Sequence, residues 1–243
     1  MQFEPSLIEG RIIKRYKRFF ADIELLNGET ITAHCPNTGS MKQCLYPGHP
    51  AWVSPANNPK RKLQYTWEFA QLPNGDQVGI NTHRANQLCA DAIRSEQIPK
   101  LAGYEKLKPE VKYGEENSRI DLLLETPSNP KLPERCYVEV KNVTLGPAEA
   151  GDSTIGYFPD AVTTRGQKHL RELMNIAQEG ERAVLLFCVQ HSGISEVRPA
   201  DHIDEEYGQL LRQASDHGVE IMAWRVALSA SEFCVTEEVP VVL

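Results

Sequence analysis

Long apolar runs are absent from this 243-residue chain. No stretch approaches the roughly 18 consecutive apolar residues that a membrane-spanning helix needs. The first residues, Met1 to Pro5, also lack the basic start and the apolar segment of a secretory signal. We therefore expect a cytoplasmic protein that does not associate with membranes.

Cysteine is scarce as well, with six residues and no CxxC pair. In a reducing compartment this spacing indicates free thiols. A zinc site formed by Cys35, Cys44, His34 and His49 is the alternative, although its spacing matches no common zinc motif. Hydrophobic residues make up 41% and charged residues 24%, which excludes a disordered or low-complexity chain. A chain of this length can bury a sizeable core without metal or disulfide crosslinks.

Basic residues are outnumbered, with 26 Lys and Arg against 33 Asp and Glu, so the net charge is −7. That balance argues against a nucleic-acid partner, but the distribution along the chain argues for one. Residues 1–80 carry nine basic and seven acidic residues, whereas residues 81–243 carry 17 and 26. A local basic surface can bind a polyanion on a protein that is acidic overall.

The basic residues of the N-terminal part form two clusters. They are Arg11, Lys14, Arg15, Lys17 and Arg18 in the first, and Lys60, Arg61 and Lys62 in the second. We predict that both contact the phosphates of DNA, with RNA as the alternative partner. The structural alternatives are an exposed strand protected by charge against edge pairing for the first cluster, and a solvated loop for the second.

The pattern of the first eighty residues predicts β structure. Asn27-Gly28 and Asn74-Gly75 are strong hairpin signals, because both residue types tolerate positive φ angles. Strands are expected over 12–20 continuing to 26, and over 30–33, 51–53, 65–70 and 77–80. Five short strands with Pro, Gly and Asn connections indicate a small closed barrel over residues 1–82. Trp52 and Trp67 are expected in its core.

The rest of the chain alternates between strands and helices. A helical connector is expected over 83–108, broken by Pro99, Gly103 and Pro109. Beyond it, strands are predicted over 118–125, 136–144, 183–189 and 219–227, and helices over 161–178 and 203–215. This order implies an α+β domain over 109–243, with a mixed sheet flanked by helices.

One acidic constellation in this second part fits a metal site. Asp121 lies amid apolar residues of one predicted strand, and Glu139 lies on the next, where alternation places Lys141 on the same face. If the strands pair, two carboxylates converge, as Mg²⁺ requires. Glu110-Val111-Lys112 repeats the Glu-x-Lys spacing, but its nearest upstream Asp, Asp91, lies in the connector. A surface Glu–Lys pair is the alternative interpretation.

These residues resemble the PD-(D/E)xK nuclease superfamily, and the whole chain resembles the sugar fermentation stimulation protein A family. The stretches that carry the resemblance are His34 to Met41, Lys60-Arg61-Lys62 with Thr66-Trp67-Glu68, Glu110 to Gly114, Ser118 to Asp121, Tyr137 to Lys141, Gly156 to Thr163 and Arg165 to Leu170. Ile120 stands where the nuclease motif has Pro.

The resemblance implies an N-terminal OB-fold barrel and a C-terminal restriction-endonuclease-like domain. It also implies DNA binding without strong sequence preference and a link to maltose metabolism. The superfamily's acids map onto Asp121 and Glu139, its lysine maps onto Lys141, and a helical glutamine maps onto Gln167.

We therefore expect a DNA-binding protein with a phosphodiesterase site that uses Mg²⁺ or Mn²⁺. Asp121 and Glu139 are the expected metal ligands, and Glu110 is an additional one, chosen over Glu115 and Glu116. The competing hypothesis is a non-enzymatic DNA-binding regulator that uses the nuclease fold only for binding. The sequence does not determine the oligomeric state, and a homodimer is compatible with it.

Overall fold

The structure is a computed structural model that describes residues 1–37, 39, 41, 43–114, 118–146 and 154–243. The N-terminal strands are β1 (Ile8–Tyr16), β2 (Phe20–Leu25), β3 (Thr30–His34), β4 (Pro50–Pro55), β5 (Tyr65–Gln71) and β6 (Gln77–Gly79). β1 pairs with β2 and β4, and a parallel contact between β3 and β5 closes a five-stranded barrel, to which β6 adds as a hairpin. This confirms the expected OB-fold barrel.

Both predicted Asn-Gly hairpins are present, with Gly28 at φ +84° and Gly75 at φ +91°. The first strand was expected to run on to residue 26, and this is wrong. Lys17 and Arg18 adopt positive φ angles and turn the chain between β1 and β2. Because neither residue is Gly or Asn, the turn carries no local sequence signal.

The aromatic residues of the barrel have two different roles. Trp67 is fully buried in its core, as expected, and its indole nitrogen donates to the Phe69 carbonyl over 3.0 Å. Trp52 is only half-buried and stacks on Phe69 at 4.3 Å between ring centroids. Phe69 in turn contacts Phe233 of the C-terminal domain. Trp52 was expected in the barrel core, but it lies instead at the junction between the two domains.

The described residues of the C-terminal part form the strands β7 (Lys106–Tyr113), β8 (Ser118–Glu125), β9 (Arg135–Val143), β10 (Ile155–Phe158), β11 (Arg182–Val189), β12 (Glu196–Pro199), β13 (Glu220–Leu228) and β14 (Phe233–Val239). Six of them form a mixed sheet in the order β14-β13-β11-β9-β8-β7, in which β9, β11 and β13 are parallel. β10 and β12 form a separate parallel pair. The mixed sheet confirms the α+β prediction.

Three α-helices flank this sheet: α1 (Arg84–Arg94), α2 (Thr164–Gln178) and α3 (Glu205–Asp216). The apolar residues of α1 pack on one face of the sheet, and those of α2 and α3 pack on the other. The helices α2 and α3 begin later than predicted, because Thr163 and Asp204 act as N-caps and accept from the backbone nitrogens of Gly166 and Tyr207. In the part of the chain that the structure describes, no helix is long and apolar enough to cross a membrane.

The segment 83–108 is part of the C-terminal domain instead of a separate connector. Leu88, Cys89 and Ile93 of α1 pack into the core beneath β8 and β9. Strand β7 already begins at Lys106. Pro109 does not end this strand, because β7 lies at the sheet edge, where a missing N–H group costs no central ladder bond.

All six cysteines are free thiols, as expected. No group of three metal-ligating side chains occurs among the described residues, which include Cys35, Cys44, His34 and His49. The zinc alternative therefore has no structural support.

Candidate active site and nucleic-acid interface

Asp121 and Glu139 lie where strands β8 and β9 separate. The antiparallel pairing of these strands ends at Leu122 and Val138. Beyond this point, the Val140 N–H of β9 donates to a side chain of β8 in place of a backbone carbonyl. Its acceptor is Asp121 Oδ2, at 2.8 Å. Asp121 Oδ1 accepts from Asn86 Nδ2 of α1 over 2.7 Å. Asp121 and the strand segment that carries Glu139 therefore adjoin one another at a fork in the sheet.

The environment of Asp121 disfavours its ionised form. Burial, and then the negative charge of Glu139, raises the pKa of Asp121 from 3.8 to about 6, although the hydrogen bonds from Val140 and Asn86 oppose this shift. A buried carboxyl group whose pKa is raised in part by a neighbouring carboxylate is a common feature of functional sites, since a bound cation relieves the repulsion.

Glu139 is almost fully buried, at 2% exposure, and is surrounded by positive or donating groups. Lys141 Nζ lies 2.6 Å from its Oε1, and His169 Nδ1 of α2 contacts the same oxygen. Burial opposes the ionisation of Glu139, but Lys141 and His169 outweigh it and lower the pKa of this carboxyl group. Lys141 itself is 13% exposed, so its ammonium group reaches the edge of the site.

His169 is held in a defined orientation by contacts at both ring nitrogens. Its Nδ1 contacts Glu139 Oε1 and lies 3.3 Å from Lys141 Nζ, and its Nε2 accepts from Arg165 Nε over 3.4 Å. The sequence-based prediction of the site does not include His169. A signal was present, because His169 precedes Leu170 and lies four residues before Leu173, both fully buried on the inward face of α2.

The carboxylates fit a divalent cation that keeps part of its water shell. Glu139 Oε2 is buried and has no hydrogen-bond partner among the described residues. An unpaired buried carboxylate oxygen is costly unless a ligand contacts it. The described residues contain no group of three ligating side chains, so water would complete the coordination of a cation held by Asp121 and Glu139.

Two predicted site residues do not join this group. Glu110 lies between the β7–β8 pairs Pro109–Leu122 and Val111–Ile120, across from Asp121, but its side chain is exposed and its φ is +54°. Gln167 is buried, and its Nε2 donates to Asp204 Oδ1 over 2.9 Å, so it links α2 to the N-cap of α3. The alternative ligands Glu115 and Glu116 lie outside the described residues.

One turn of the first basic cluster and the loop of the second lie at the same end of the barrel. The register aligns Phe20 with His34, His34 with Thr66, and Thr66 with Ser54 across four strands. The turn that contains Lys17 and Arg18 precedes Phe20, and the loop that contains Lys60, Arg61 and Lys62 joins Ser54 to Thr66. These are the β1–β2 and β4–β5 loops, with which OB folds bind oligonucleotides.

Within the first cluster, the exposed side chains differ from the anchored ones. Lys17 and Arg18 are exposed at the turn. Arg15 instead donates to the carbonyls of Asn37 at 2.8 Å and Gly39 at 3.3 Å, so it holds the loop after β3. Arg11 donates to the Gly48 carbonyl, and Lys14 lies 3.6 Å from Asp22. The small polar residues Asn37-Thr38-Gly39-Ser40 of this loop also allow a backbone nest for phosphate, but Thr38 and Ser40 lie outside the described residues.

Comparisons with known proteins agree with this division of the chain. Residues 13–80 match the family described as "SfsA N-terminal OB domain", and residues 83–232 match "Sugar fermentation stimulation protein RE domain". The sugar fermentation stimulation protein homologs of Shewanella frigidimarina and Teredinibacter turnerae are 55% and 56% identical over 243 residues, which cover 100% of each chain. The structure of Pyrococcus furiosus SfsA in complex with Ca²⁺ shares 26% identity and a TM-score of 0.83, and covers 100% of this chain and 98% of that one.

Proposed function

Because the chain belongs to the sugar fermentation stimulation protein family, we propose that it binds DNA without strong sequence preference and hydrolyses phosphodiester bonds with a divalent cation. The observation that carries the proposal is the grouping of Asp121, Glu139 and Lys141 at the β8–β9 fork. A protein that only binds DNA has no use for two carboxylates facing a polyanion.

Asp121 and Glu139 would hold the cation, Mg²⁺ or Mn²⁺. The Pyrococcus furiosus relative, solved with Ca²⁺, supports an oxygen-ligated divalent cation in this family. When bound, such a cation supplies Lewis-acid polarisation of the phosphate and a more acidic water.

The chain's own residues orient the reacting groups. Asn86 and the Val140 N–H fix the Asp121 carboxylate, and His169 fixes Glu139. Lys141 carries a positive charge at the mouth of the site, where it stabilises negative charge that develops on the scissile phosphate. Lys17, Arg18 and the Lys60–Lys62 loop would hold the strand through its phosphates, independently of base sequence.

A second candidate function is a non-enzymatic DNA-binding regulator linked to sugar metabolism, including maltose. The direct ion pair between Lys141 and Glu139 favours this second function, because each group already neutralises part of the other's charge. The family description, sugar fermentation stimulation, is consistent with such a role.

A paired cleavage and binding assay separates the two candidates. Wild type should cleave linear DNA in Mg²⁺ or Mn²⁺, and Lys141→Ala should lower the rate by about 10²-fold or more while weakening DNA binding only a few-fold. Lys108→Ala is the matched control, since Lys108 is an exposed lysine that pairs with Glu125 on the same sheet. It should cleave as wild type does.

Two results would contradict the proposed phosphodiesterase activity. Intact DNA binding by wild type without cleavage of single- or double-stranded substrates would favour the regulator. Equal cleavage by wild type and Lys141→Ala would indicate a contaminating nuclease.

A further inference from the structure

A cavity of about 440 Å³ lies at the basic end of the barrel, apart from the carboxylates. Its walls come from the end of β3, the β4–β5 loop and the residues that lead into α1. His34, Arg61, His83 and Arg84 line it, and no carboxylate lines it among the described residues. All four of these side chains can donate hydrogen bonds, and Arg61 carries a permanent positive charge, so the lining points to an anionic ligand.

The positive charge of Arg84 is already neutralised. Its guanidinium group donates to both oxygens of the fully buried Glu68, at 2.7 and 3.0 Å. Ser54 and Asn81 donate to the same carboxylate, so Glu68 has no capacity left for another cation.

Arg61, His34 and His83 have no such acidic partner in the described part of the chain. Arg61 donates to the neutral Thr66 hydroxyl over 2.9 Å. Burial, and then the positive charges of Arg61 and His83, lowers the pKa of His34, so these groups crowd one another. A bound anion would relieve that crowding.

Helix α1 connects the cavity to the carboxylate site. His83 is the N-cap of this helix, makes no side-chain cap bond, and stands at the end where the helix dipole favours negative charge. Asn86, which donates to Asp121, follows three residues later, or about 4.5 Å along the helix axis. The start of α1 therefore contributes both to the cavity and to the carboxylate site.

We propose that this cavity binds a phosphoryl group of the nucleic-acid strand through Arg61, His34 and His83, and so positions the strand next to Asp121. This proposal rests on the proposed function, because it takes the phosphoryl group to come from a bound nucleic acid. Two sources share this chemistry: an internal phosphodiester and a terminal phosphomonoester.

The test uses the metal-free full-length protein in EDTA, so that the carboxylate site does not contribute. Fluorescence anisotropy compares two 3′-labelled single strands of one sequence, with a 5′-phosphate and with a 5′-hydroxyl. Arg61→Gln should weaken binding about tenfold and His83→Gln several-fold. Arg94→Gln, an exposed arginine at the other end of α1, should stay within about twofold. Thermal melting followed by circular dichroism confirms that each variant is folded.

The two strands distinguish the sources of the phosphoryl group. Equal losses on both strands identify an internal phosphodiester, and a loss confined to the phosphorylated strand identifies the terminal group. Unchanged binding of both strands by Arg61→Gln and His83→Gln would overturn the cavity proposal while leaving DNA binding intact.

Binding of inorganic phosphate, followed by ³¹P NMR, tests this proposal independently of the proposed function. Wild type should broaden the ³¹P resonance of phosphate, and Arg61→Gln should not. If wild type binds phosphate in this way but neither strand, the cavity stands and the proposed DNA binding fails. If wild type binds neither phosphate nor the strands, both proposals fail.

Discussion

Asp121→Asn should stabilise the metal-free protein at neutral pH. Burial, and then the charge of Glu139, raises the pKa of Asp121 from 3.8 to about 6. The folded protein therefore holds a proton that the unfolded chain releases at lower pH. The stability that comes from this proton is fully present below about pH 4 and is lost as the pH rises through 6. Asparagine has no charge to bury, so the variant does not lose this stability as the pH rises.

The size of the effect follows from the shift. About two pKa units correspond to about 3 kcal/mol of unfolding free energy at pH 7. Asparagine keeps the local hydrogen bonds, since its amide oxygen can accept from the Val140 N–H and its amide nitrogen can donate to a flipped Asn86 side chain. The gain should therefore approach the full value.

Urea denaturation in EDTA at pH 7.5 and pH 4.5 measures this difference. The variant should exceed wild type by about 3 kcal/mol at pH 7.5 and by only about 1 kcal/mol at pH 4.5. Asp216→Asn, which removes an exposed carboxylate at the end of α3, is the control and should change little at either pH. A variant that is no more stable than wild type at pH 7.5, or a gain of equal size at both pH values, would refute the reasoning.

Three further predictions concern the metal and the barrel. Glu139→Gln should lower Mn²⁺ affinity at least about tenfold by calorimetric titration, and equal affinity would remove Glu139 from the ligands. His169→Gln should lower the same affinity by about 10- to 100-fold, because His169 orients Glu139, and an unchanged titration would make it purely structural. The double variant Lys17→Ala, Arg18→Ala should reduce the slope of log affinity against log salt by about two units. An unaltered slope would exclude this turn from the DNA contacts.

The local parts of the fold could be predicted from the sequence. Alternation along β9 places Glu139 and Lys141 on one face. In the structure, Lys141 Nζ lies 2.6 Å from Glu139 Oε1. The Asn-Gly pairs marked both hairpins, since their preference for positive φ does not depend on distant residues. Strand β8 occupies the predicted residues 118–125.

The remaining features depend on contacts between distant segments. Asn86 and His169 join the site from helices on opposite faces of the sheet, and no local pattern specifies that docking. Pro109 suggested a chain break because its tolerance depends on β7 being an edge strand, which only the sheet order reveals. The turn at Lys17 and Arg18 is set by the pairing of Tyr16 with Phe20, against the preference of both residues.

The central claim is that Asp121 and Glu139 hold a divalent cation at the β8–β9 fork. Anomalous diffraction from crystals grown in Mn²⁺ tests it most directly. The account predicts a Mn²⁺ peak within coordination distance, about 2.2 Å, of a carboxylate oxygen of each residue, and loss of that peak in Glu139→Gln. Mn²⁺ peaks elsewhere on the protein with none at the fork, and Lys141 still paired with Glu139 there, would contradict it.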